Sequence, residues 1–389
     1  MSDAARDRLM AGRRALVLPA LLALLAGLWA GLARVGWGLP PLGLVPVHGP
    51  LMACGFLGTL IGLERAVALG GRAGLAFPAL TGVGALALVA GVPGPWAPAL
   101  IAAGSAGLVG ASLVVLRRQP ALHHAALAAG ALAWLGGNAL WVAGWPVWRV
   151  APWWAAFLVL TIAGERLELS RVLFPPRSAR VLFAAAGAAL LAGVALGAAS
   201  PVAGARLEGL AFVALAAWLL RHDVARRTVR QRGLTRYIAA AMLAGYAWLA
   251  AGGVLFAAEA ARLAGGPPYD AALHAVFVGF VFSMIFGHAP IILPAVARVT
   301  VAYGRSFYAH LALLHASLAL RVGGDLAGLW ALRRWGALLN AAAILLFVAT
   351  TARSVGPARS EAGVTRRPAN RDNPGRREPA PDIHGSEAA

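Results

Sequence analysis

The 389-residue chain has no lysine and one cysteine, and it carries 15 acidic residues against 34 basic ones. The lone cysteine, Cys54, excludes an internal disulfide framework and a CxxC redox pair. It sits in an apolar run and is expected to be a small buried residue. Charge is scarce overall: 13% of residues are charged, 60% are hydrophobic, and the mean hydropathy is +0.73. A soluble domain of this length has no use for so much apolar surface, so the composition points to a polytopic helical membrane protein. Residue-by-residue alternation is missing too; the apolar runs are continuous and about 20 residues long, which argues against a β-barrel. A formal charge of +19 invites a nucleic-acid partner. The arginines, however, lie in short loops and in the tail, and no basic, aromatic-interleaved domain is present, so the expected partner is a lipid bilayer and not nucleic acid.

What the chain does have is a series of about twelve apolar segments: 15–33, 45–69, 75–92, 95–116, 122–144, 150–169, 179–199, 202–220, 237–261, 269–297, 307–326 and 332–351. The expected fold is all-α, a transmembrane bundle of about twelve helices over residues 15–351. A short cytoplasmic segment, 1–14, precedes it and a disordered basic tail, 352–389, follows. Arginine gathers in alternate loops, among them Arg65 and Arg72, Arg117 and Arg118, Arg166 to Arg180, and Arg221 to Arg236. By the positive-inside rule this alternation places both termini in the cytoplasm and works with twelve spans but not eleven. The tryptophan-rich stretch 141–154 then falls at the outer interface.

The tenth segment carries His274 and His288, and ionisable groups inside a membrane helix mark a functional site by default. At about 100° per residue these two histidines fall within roughly 40° of one another on one face, some 21 Å apart along the axis. The second segment runs inward from the outer face, as does the tenth, so His48 and His274 are expected at nearly equal depth on different helices. Two neutral imidazoles facing across a bundle can supply both axial ligands of a haem iron. The plainer alternative is an interfacial histidine bonded to a carbonyl. Arg321, Arg333 and Arg334, on the same side, suit haem propionates because guanidinium matches carboxylate bidentately. Equally, Arg321 and Asp325 are spaced to pair with each other, and Arg333 and Arg334 to anchor at headgroups.

A second polar set lies toward the inner side: His288, His310 and His315, with His123 and His124 opening the fifth helix and Glu165 and Glu168 closing the sixth. His288, His310 and His315 are candidates for a copper site, a second haem or a proton relay. His123 and His124 read more simply as interfacial histidines, and Glu64 with Arg65 as a solvated pair.

The stretches HGPLMACGFLGTLIGLERAVAL (48–69) and HAVFVGFVFSMIFGHAP (274–290) resemble motifs of NnrS-type membrane proteins, twelve-helix relatives of the catalytic subunit of haem-copper oxidases. The resemblance implies a low-spin haem held by His48 and His274, with Arg333–Arg334 at the place of the oxidases' propionate-binding arginine pair. It also implies a bacterial inner-membrane protein in nitric oxide or nitrosative-stress metabolism, with an electron donor or the gas itself as partner. Two departures stand out. The first motif here begins HGPLM, with one histidine instead of the fuller HAHEM-like pattern, and the sixth and seventh helices carry no histidine, which argues against a copper–haem oxygen-reducing centre. The competing function class is a transporter or permease whose path the same His, Asp and Arg residues line, although no repeat or transporter motif is visible. A membrane scaffold with structural histidines is the third.

Overall fold

The computed structural model describes residues 3–357 except 41, 72, 263, 264 and 298. The fold is all-α. Its long helices follow one another as α1 (Asp3–Arg34), α2 (3₁₀ turn Val45–Val47 followed by helix to Leu69), α3 (Ala73–Val89), α4 (Trp96–Arg118), α5 (Leu122–Val142) and α6 (Val147–Leu169). The second half comprises α7 (Arg177–Ala199), α8 (Pro201–His222), α9 (Gly233–Ala258), α10 (Pro267–His274 and its continuation to Ala297), α11 (Phe307–Ala327) and α12 (Trp330–Ser354). Ten of these are long and apolar enough to cross a membrane. The other two are the shorter α3 and the charge-bearing α11. Each of the twelve coincides with one apolar segment of the sequence.

The boundaries follow from local chemistry. Pro201 and Pro267 open α8 and α10, where the missing N–H costs no hydrogen bond. Gly328, at φ 67°, closes α11 in the left-handed conformation. Connections are so short that consecutive helices pack as antiparallel hairpins, α5 on α6, α7 on α8 and α11 on α12. α7 and α8 approach closely, so that a side chain on Gly204 would fall on the Gly197 backbone. On the outside, Leu132, Val181, Leu182, Leu210 and Val254 are exposed in mid-helix, the apolar surface that lipid contact requires. Exposed tryptophans Trp29, Trp96, Trp330 and Trp335 cluster at the end where α1 finishes and α2 begins. The expected belt of 141–154 is corrected in part: Trp154 is buried in the core, held by Asn138.

Two helices depart from α-geometry in the same way. Residues Leu51–Gly58 of α2 and Ala275–Phe282 of α10 are π-helical. An i→i+5 ladder turns each residue by roughly 80° instead of 100°, so eight such residues remove on the order of 160° of rotation. In α10 this stretch lies between His274 and His288, the two histidines expected on one face. At the chain's other boundary, residues 352–354 complete α12 and Val355–Pro357 pairs antiparallel with Val299–Val301, so the tail does not begin at 352. The rest of that tail, from 358, lies outside the described residues, and α1 already begins within the short N-terminal segment.

At the arginine-rich end, Arg166 of α6 grips Asp223, beyond α8, through two hydrogen bonds of 2.7 and 2.8 Å, both groups buried. Arg65 pairs across helices with Glu165, not with its neighbour Glu64. Breaking a buried pair leaves an uncompensated charge, so Arg166→Ala is expected to cost about 3–5 kcal/mol. Thermal unfolding in detergent would read this as a clearly lowered midpoint, with Arg166→Ala/Asp223→Ala costing less than the two single changes added together.

Candidate functional site

His48 stands on the first turn of α2 and His274 on the second turn of α10, each directly before or within three residues of a π-helical stretch. Their ring centres are 6.4 Å apart and their planes 11° from parallel. The Nδ1 of His48 bonds the Gly27 carbonyl of α1 at 2.8 Å, and that of His274 the Asp270 carbonyl at 2.7 Å. A carbonyl accepts only from N–H, so Nδ1 carries the proton in both rings and Nε2 keeps its lone pair. This is how proteins orient ligating histidines. Two imidazoles bound end-on to one metal, with nitrogen–metal bonds of about 2 Å, hold their ring centres about 6.3 Å apart. The observed spacing fits.

The His48 ring has room because α1 lacks side chains where it lies. A Cβ on Gly31 would come within 2.8 Å of His48 Cε1, and one on Gly27 within 2.6 Å of Met52 Sδ. The sequence reading overlooked this Gly27-x-x-x-Gly31 cradle; its spacing is a recognised signal for close helix approach.

Both rings line a cavity of about 490 Å³ whose walls include Leu28, Met52, Phe277, Phe282 and Ile344. That size suits a cofactor-sized ligand, and apolar walls with few polar groups are usual for one. Phe56 and Phe282, from the two π-helical stretches, stack at 6.0 Å behind it. Trp154 closes one side, its Nε1 donating to Asn138 within a buried network that also takes in Trp134 and Cys54.

The cavity's polar wall is a cluster of opposite charges. Asp270 meets Arg34 at 3.5 Å and Arg321 at 3.7 Å, and Arg333 bonds it as well. Arg333 Nε also lies 3.0 Å from Asp325. The local Arg321–Asp325 pairing suggested by sequence spacing gives way to these longer-range pairs. Three guanidinium groups against two carboxylates leave one positive charge over. Arg321 and Arg34 line the cavity, and Arg321 Nε is buried with no hydrogen-bond partner. Arg333 contacts the two aspartates and Arg334 lies over the Trp37 ring at 4.7 Å, and neither is among the residues that line the cavity. For an anionic group in the cavity, the available cations are thus Arg321, as expected, and Arg34, which the sequence reading missed because its role depends on α1 meeting α10.

The inner histidines are not brought together. His310, fully buried, bonds Tyr237 Oη through Nε2 at 3.0 Å inside a box of Phe286, Phe307 and Phe347. His315 Nδ1 accepts from Trp248 at 3.0 Å, and His288 Nδ1 bonds the Met284 carbonyl at 2.8 Å. Among the described residues, the group whose donor atoms converge is His123, His124 and Glu168.

The model of the family described as "Domain of unknown function (DUF8744)" matches residues 13–356. No curated protein matches the chain.

Removing Arg333 leaves Asp270 and Asp325 short of their shared cation. Arg333→Ala is expected to lower stability by about 3–5 kcal/mol, as loss of one member of a buried pair does. Arg333→Lys should recover only part of this, because an ammonium cannot span both carboxylates as the planar fork does. Unfolding midpoints of the two variants check both statements.

Proposed function

The chain belongs to this family of unknown function, and we propose that it is a multi-pass membrane protein that binds haem between His48 and His274, as in NnrS-type proteins. The observation that carries the reading is the histidine pair itself: two rings from different helices, each Nδ1 bonded to a carbonyl, with ring centres at the spacing of two imidazoles on one metal. The apolar cavity, the Gly31 recess and the unpartnered Arg321 Nε all support it. His48 and His274 would be the axial ligands, and Arg321 with Arg34 would meet the propionates. A bis-histidine haem supplies one-electron transfer when bound.

The protein's own contribution is positioning and charge. Gly27 and Asp270 fix each imidazole's tautomer through their carbonyls, so that neither ring has to reorient to ligate. Asp270 sets how much positive charge reaches the cavity by neutralising part of the arginine cluster. Trp154 and the two stacked phenylalanines exclude water from the far wall.

The arginine bias supports twelve spans with both termini on the cytoplasmic side and the cavity toward the outer face, and the bacterial inner membrane is what the NnrS resemblance implies. With electron transfer as the chemistry of the site, the role in nitric oxide or nitrosative-stress metabolism implied by the NnrS resemblance follows as part of this proposal. The transporter alternative gains no residue from the cavity that the haem reading leaves unused.

Protein produced with haem available is expected to give a reduced pyridine-haemochrome spectrum with about one haem per chain. His274→Ala should abolish the low-spin spectrum while the protein stays folded, and Gly31→Leu should lower occupancy by pushing the His48 ring from its recess. Well-folded protein without haem would sink the proposal, and an unchanged His274→Ala spectrum would reject the ligand assignment.

A further inference from the structure

The end of the bundle opposite the His48–His274 cavity holds a second group of convergent donors. His123 and His124 stand on the first turn of α5, and Glu168 on the last turn of α6, its antiparallel hairpin partner. One donor atom from each lies within 4.8 Å of the other two. Ligands placed tetrahedrally at about 2.1 Å from a metal sit about 3.4 Å apart, so closure asks for about an ångström of side-chain movement. Glu168, 46% exposed at the end of its helix, is free to supply it.

A second observation points the same way. His123 is 4% exposed, and its Nε2 is buried without a hydrogen-bond partner. Glu168 Oε1 is the carboxylate oxygen it faces, at 3.8 Å, too far for a hydrogen bond. Native proteins rarely leave a buried donor or acceptor in this state, and a bound ion is one recognised explanation. His124 is already arranged as a ligand: its Nδ1 donates to the Gln119 carbonyl at 2.7 Å, which leaves the Nε2 lone pair available. The two rings lie 4.1 Å apart, tilted by 55°. Beside His124 and Glu168 opens a cavity of about 390 Å³.

We infer that His123, His124 and Glu168 form a binding site for a first-row divalent transition-metal ion of the zinc type. Two imidazoles and one carboxylate are a donor set for such ions, and three protein ligands leave a coordination position open to a small molecule entering from the cavity. The surroundings select among cations. Arg65 and Arg118 line the same cavity, and Arg171 follows Glu168 by three residues. Arg65 is neutralised by Glu165, but the local balance remains positive. Calcium and magnesium, held chiefly by clustered carboxylates, are therefore disfavoured, whereas an ion bound through imidazole nitrogen is retained.

The test uses the full chain, purified in detergent through an affinity tag without histidine and titrated with Zn(II) by calorimetry. One Zn(II) per chain is expected, with a zinc K-edge absorption spectrum showing a nitrogen and oxygen shell that contains imidazole. His124→Ala and Glu168→Gln alter partly exposed or pocket-lining groups, so folding is preserved, as an unchanged melting midpoint without metal would verify. Loss of an outer-shell group typically costs 10–100-fold in metal affinity, so loss of a ligand should cost more than about a hundredfold. His222→Ala, at a histidine outside the cluster, should leave binding unchanged, as should His274→Ala, which separates this site from the haem proposal. Absence of Zn(II) binding, or binding of equal strength in His124→Ala and Glu168→Gln, would overturn the inference.

Discussion

Asp270 meets guanidinium groups from α1, α11 and α12, and its own main-chain carbonyl orients the His274 ring on α10. A carboxylate in so dry a place cannot stand alone, and arginines there cannot either. Each therefore dictates where the other must be, and the first and last helices close on α10 as a result. The cavity has its position because this cluster pins one end of the bundle while apolar packing governs the remainder. His48 reaches the same level from α2 only because α1, drawn in by Arg34, presents glycine at the point of contact. Charge compensation and imidazole placement are thus one constraint met by one residue.

The helices were legible in the sequence because a membrane span must bury nearly every residue in an apolar setting, and that requirement marks each position. The equal depth of His48 and His274 was legible for a related reason: a rigid rise per residue turns chain position into depth once orientation is fixed. Rotation about the helix axis was not legible. Leu51–Gly58 and Ala275–Phe282 have the composition of ordinary apolar helix, and nothing in it marks their π-helical winding. Pairings between distant helices were equally hidden. Arg321 and Asp325 have ideal local spacing, yet Asp270 and Arg333 win because a desolvated charge takes the best partner in space. The same limit concealed His123 and His124, unremarkable beside each other in the chain until the hairpin register brings Glu168 to them.

The two ends of the bundle differ in how they handle charge. At the end with exposed tryptophans, Arg34, Arg321 and Arg333 gather on two aspartates, while Arg149, Arg262 and Arg334 have other partners. At the other, arginines are many; Arg65 and Arg166 are committed to Glu165 and Asp223, and several others lie in the loops. This asymmetry separates two kinds of donor site. A histidine pair sits among apolar walls at one end, and a histidine–carboxylate group beside an arginine-lined cavity at the other.

The paired π-helical stretches also govern which changes of chain length the molecule can absorb. In each, the extra residue per turn is what sets the angle of everything that follows. Losing one residue from Ala275–Phe282 would let the ladder relax to ordinary α-geometry with its hydrogen bonds intact. Ser283–Ala297 would then be re-aimed by roughly 60°, shifting Phe286 against its stacking partner Phe347. These two eight-residue windows should therefore hold a fixed count, so that insertions and deletions collect in the loops outside them.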